Sequence, residues 1–112
     1  EKCGLELETT NDPERLRYCL RTGGAAILHT KVDRDGYVGV FTRRGHYIVA
    51  ISEERDGRIA ILDPSYVEGK FDEEGRKGLV EMKNDCIALC DMQVIIDDTL
   101  IADPAFYLFW RK

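Results

Sequence analysis

The 112-residue chain is 44% hydrophobic and 33% charged, with a formal charge of −5. That length supports one domain with a modest core that needs no staples, and no apolar run reaches the roughly 20 residues of a membrane span. The densest basic clusters are Arg43-Arg44 and Arg111-Lys112. The stripe of cations that would neutralise nucleic-acid phosphates is missing, so neither a nucleic-acid partner nor membrane insertion is expected.

The N-terminal stretch "EKCGLELETT" is acidic and polar, unlike a secretory signal. It lacks an initiating Met, which gives the expectation of a piece of something longer. A strand-like "LELETT" leads into a helix over residues 12–22. Asp12 is placed to cap it and Pro13 suits its first position. Leu16, Cys19 and Leu20 fall at helical spacing on one stripe, and Gly23-Gly24 terminates it. "AAILHT" follows as a buried strand. The connection "KVDRDGYVGVFTRRG" has Asp35-Gly36 as its turn signal. Asp33 and Asp35 open like a calcium loop, but the remaining ligands do not follow at the required offsets.

"HYIVAIS" and "RIAILD" are β-rich runs joined by the hairpin loop "EERDG". After the long polar excursion "PSYVEGKFDEEGRKG" come four further strand candidates, "LVEMKN", "CIALC", "MQVII" and "AFYLFW". The order predicts an α+β fold, a twisted antiparallel sheet of about five or six strands with one helix packed across it.

Four cysteines are present. The one close pair, Cys86 and Cys90, has apolar residues between and no zinc-ligand spacing, so both are expected as small core hydrophobes. Free thiols in an unstapled domain fit a reducing, cytoplasmic interior. No metal site and no cofactor is implied.

The hairpin brings His46 and Asp63 towards each other. Pairing Ser52 with Arg58 sets His46 opposite Pro64, with Asp63 its near-diagonal neighbour, and one-residue slippage at Asp56-Gly57 would put the two on one face. A carboxylate holding one imidazole nitrogen leaves the other as a base, with contact expected at about 2.6–3.2 Å or through one water. A strand-end histidine beside an acid also occurs as a plain satisfied pair. His29, within a strand and without an acid at that register, is expected to be structural.

The segments "LRTGGAAILHT", "GHYIVAI" and "ILDPS" together resemble the second half of papain-like cysteine peptidases, nearest to bacterial domains akin to the bacteriocin-processing peptidases. The resemblance covers residues 4–66 well and is weak beyond. It implies a β-rich lobe, residues 1–112 forming the C-terminal part of a longer domain. It also implies a cysteine peptidase working by Cys-His-Asp chemistry on peptide or amide bonds, with His46 as the catalytic histidine and Asp63 as its orienting acid. The departure is the nucleophile. Such enzymes carry a Cys at a helix N-terminus, where the thiol pKa falls, with an upstream Gln in the oxyanion hole. Cys3-Gly4 imitates the dipeptide but precedes a strand and lies too close to His46 in sequence. Cys19 reads as core, and Cys86 and Cys90 follow the histidine.

Two functions fit these residues. In the first, the nucleophile resides in an N-terminal lobe outside this chain, the substrate is a peptide, and the chain associates with that lobe or with a second copy of itself. In the second, the chain is a non-catalytic binding or scaffolding relative. The first predicts that the sheet face carrying His46 is an unfinished interface rimmed by Tyr47, Tyr66 and Trp110.

Overall fold

The computed structural model describes residues 5–30, 39–41, 45–64, 66–72 and 76–111. Cys3 and the Asp33, Asp35-Gly36 connection lie outside them.

Strand β1 (Leu5–Thr10) runs into helix α1 (Pro13–Arg21). The Asp12 carboxylate accepts the Glu14 N–H at 2.9 Å, and Pro13 opens the first turn. Both devices satisfy or remove orphan donors at the helix start. The helix stops at Thr22, Gly23 turns at φ +87°, and Gly24 N–H closes on the Cys19 carbonyl at 2.9 Å. A Cβ at Gly24 would lie 2.5 Å from the Cys19 sulfur, so that position admits only glycine without movement of the packed helix. Leu16, Cys19 and Leu20 are buried, as their spacing predicts.

Strand β2 (Ala25–Thr30) precedes strands β3 (His46–Glu53) and β4 (Ile59–Leu62), which form the expected hairpin. Strands β5 (Val80–Met82) and β6 (Ile87–Cys90) follow. "MQVII" is not a strand. It belongs to helix α2 (Met92–Asp98), after which strand β7 (Phe106–Arg111) ends the described chain. A five-residue apolar run does not distinguish strand from helix by period. Here Asp91 stands at the cap position, Gln93 bonds Asp97 four residues on, and Met92 and Ile95 share one buried side. Among the described residues the architecture is therefore α+β, with a seven-stranded sheet in the order β1-β7-β2-β3-β4-β6-β5, every pairing antiparallel, and two α-helices.

Alternation along the strands divides the sheet into two faces. The inner face carries Ala26, Leu28, Ile48, Ala50, Ile61, Phe106 and Leu108, all buried in one cluster with residues of both helices. The outer face carries Leu7, Tyr47 and Leu62, all exposed. This reverses the expectation of an unfinished interface on the His46 side. His46 shares the helix-covered face, and the uncovered apolar face is the opposite one. Tyr47, adjacent to His46 in sequence, necessarily points the other way. Trp110 packs near Tyr18 of α1 with its indole N–H on the Thr22 hydroxyl at 2.8 Å, at the opposite end of the sheet from His46. Among the described residues no helix is long and apolar enough to cross a membrane.

Candidate functional site

The ladder between β3 and β4 pairs Glu53 with Ile59 and Ser52 with Ala60. It then slips by one residue to pair Ala50 with Ile61 and Val49 with Leu62. The bulge sits at Ile51, not at Asp56-Gly57 as the sequence suggests. The hairpin tip is regular, with Glu54 N–H on Arg58 O at 2.8 Å and Gly57 at φ +89°. The bulge has two consequences. Beyond it Glu53 shares the inner face, where it accepts from Arg17 and Arg21 of α1. Before it His46 and Asp63 fall on the same face, Asp63 continuing the ladder across from Ile48. Without the slip they would point to opposite faces.

His46 Nε2 lies 3.2 Å from Asp63 Oδ1, at the outer end of the expected range. Asp63 is almost fully enclosed, its side chain 2% exposed, whereas the His46 side chain is 21% exposed. Among the described residues nothing is hydrogen-bonded to His46 Nδ1. The second carboxylate oxygen is also taken: Lys70 Nζ donates to Asp63 Oδ2 at 2.5 Å, and the Lys70 side chain is only 8% exposed. Nothing in the sequence singled out this lysine, because a polar loop carries no period that marks an inward-facing residue.

The surroundings hold both partners in place. Thr30, opposite His46 on β2, donates its hydroxyl to the His46 carbonyl at 2.6 Å. Upstream, the buried Asp98 carboxylate at the end of α2 accepts the N–H groups of Val40 and Phe41 at 2.8 and 2.9 Å. Downstream, the chain turns after Asp63, with Tyr66 N–H on its carbonyl at 3.1 Å, and makes a short 3₁₀ turn at Lys70–Asp72. Phe71 of that turn meets Phe41 edge-on at 5.4 Å and stacks with Tyr66 at 5.7 Å. Arg76 joins the two flanks, donating to Gly39 O at 3.0 Å and to Lys70 O at 3.4 Å.

The described cysteines do not complete a triad with His46. Cys19 is buried, with its sulfur near the Ala25 and Phe109 carbonyls, and burial raises its thiol pKa. Cys90 is buried as expected, and desolvation foremost, then the Asp98 and Asp91 charges, push its thiol up to about 12. Cys86 departs from the expected core position and is exposed. It lies in the turn before β6, where the Asn84 side chain accepts the N–H groups of Cys86 and Ile87. Strand β4 separates it from β3, and two strand spacings amount to about 9.6 Å. None of the three hydrogen-bonds His46. His29 stacks on Tyr47 at 4.4 Å between ring centroids, on the outer face.

A cleft of about 430 Å³ opens beside Asp63 and Pro64, with Tyr66, Asp85 and Cys86 in its wall. A second, of about 560 Å³, shares Tyr66 and Asp85 with it and adds Glu68. Among the described residues no group of three or more His, Cys, Asp or Glu side chains is placed to hold a metal ion. No family model matches the chain, and no curated protein or solved structure does either.

Proposed function

We propose that the chain is the β-rich lobe of a papain-like cysteine peptidase, supplying a base and its orienting acid to a thiol carried elsewhere in the polypeptide or in a second copy. The observation behind this reading is the His46–Asp63 contact. Nε2 is turned to the carboxylate, and Nδ1 has no hydrogen-bond partner among the described residues. A proton on Nε2, donated to Asp63, leaves the Nδ1 lone pair as the base. In the reaction Nδ1 takes the thiol proton, and the thiolate attacks the scissile carbonyl. The imidazolium then returns the proton to the leaving amine, and water, deprotonated by the same nitrogen, releases the acyl group.

One observation favours the non-catalytic binding or scaffolding reading: no described cysteine hydrogen-bonds His46. The full product of the gene encoding this chain distinguishes the two. The peptidase reading predicts hydrolysis of a peptide library that a thiol-directed epoxide abolishes, with kcat/KM reduced at least about 100-fold by His46→Ala, as expected for loss of a general base. Absence of hydrolysis, or hydrolysis unaffected by His46→Ala, would reject it.

A further inference from the structure

Lys70 has no role in the reading above, yet its ammonium is buried against the carboxylate that holds His46. We propose that Lys70 is a positioning residue of the dyad. It fixes Asp63 so that one oxygen faces Nε2, and its ammonium charge offsets that of the carboxylate. The inference rests on the peptidase reading for its purpose, but not for its test.

The geometry is a bridge. Oδ1 of Asp63 faces His46 Nε2 at 3.2 Å and Oδ2 faces Lys70 Nζ at 2.5 Å. With His46 neutral, the ammonium and carboxylate cancel. Among the described residues the group, with His46 protonated, holds two cations and one anion, and the Asp63 and Lys70 side chains are only 2% and 8% exposed. An opposite charge within about 4–6 Å raises a histidine's pKa, and a cation beside that charge reduces the effect. Among the described residues the elements around His46 add no other ionised side chain in contact with it. Thr30 of β2 is neutral, and Arg76 donates to the Gly39 and Lys70 carbonyls. The lysine is itself located by its turn, with Lys70 N–H on Val67 O at 3.0 Å and the Phe71 ring centroid 5.5 Å from Nζ.

The test is the NMR titration of His46 in the folded chain, compared with Lys70→Met and Lys70→Arg. Lys70→Met should raise the His46 midpoint by about one pH unit or more, while Lys70→Arg, which keeps the cation, should leave it close to the wild-type value. An unchanged midpoint in Lys70→Met would overturn the proposal. Should that variant fail to fold, the wild-type chain decides: the Lys70 ε-methylene signal should shift with the same midpoint as His46, and a Lys70 signal flat across that titration would overturn it equally. Neither measurement needs a thiol or a substrate. An inactive gene product with coupled His46 and Lys70 signals would reject the peptidase reading alone, and uncoupled signals in an active one would reject the role of Lys70 alone.

Discussion

Replacing Asp63 by Ala would leave the Lys70 ammonium buried with its carboxylate gone. Removing one member of a buried ion pair typically costs about 3–5 kcal/mol, whereas replacing both members by apolar groups costs far less. Asp63→Ala should therefore lower the urea midpoint strongly, and Asp63→Ala with Lys70→Met should recover part of the loss; strict additivity of the two substitutions would show that the pair is not coupled. At this scale the sequence discloses His46 and Asp63 but not Lys70. His46 opens one run of β character and Asp63 closes the next, so the hairpin itself brings them together. Lys70 lies in an aperiodic loop, and its inward path depends on Phe71 packing between Phe41 and Tyr66, a long-range event.

Among the elements, the bulge at Ile51 links the helix to the site. It sets Glu53 under Arg17 and Arg21, and it sets His46 and Asp63 on one face. Hydrogen bonding from Arg21, then from Arg17, holds the Glu53 carboxyl below its ordinary 4.5. Because the folded value is the lower one, the unfolded chain binds more protons in the acid range. The stabilisation is then complete above the ordinary value and is lost as pH falls through the folded one. As pH falls below the ordinary 4.5 the wild type should lose stability more steeply than Glu53→Gln, measured by urea unfolding at each pH; parallel curves would show that the clamp contributes nothing. Helix α1 was legible in sequence because cap, proline, stripe and glycine stop all agree. Helix α2 was not, because a run as short as "MQVII" is compatible with either period and only its docking through Met92, Ile95 and Asp98 decides.

For the whole molecule, the inner face of the sheet is the core and the outer face is not. Leu28→Ala, at a fully buried inner position, should cost about 2–5 kcal/mol. Leu7→Thr, on the exposed outer face of edge strand β1, should stay within about 0.5 kcal/mol; comparable losses in thermal unfolding would mean that both faces are load-carrying. The antiparallel α+β class was readable from the order of elements, while which face would be covered was not, since both faces carry apolar residues at alternate positions. The bulge, the Asp98 strap on residues 40 and 41, and the Lys70 turn all converge on one outcome, a His46 ring with Nε2 on Asp63 and Nδ1 turned away. The tautomer of His46 reports this directly. A long-range ¹H–¹⁵N correlation spectrum of the folded chain, recorded above the His46 midpoint, should show the proton on Nε2 and a bare Nδ1. A proton on Nδ1, with Nε2 bare against the Asp63 carboxylate, would contradict it.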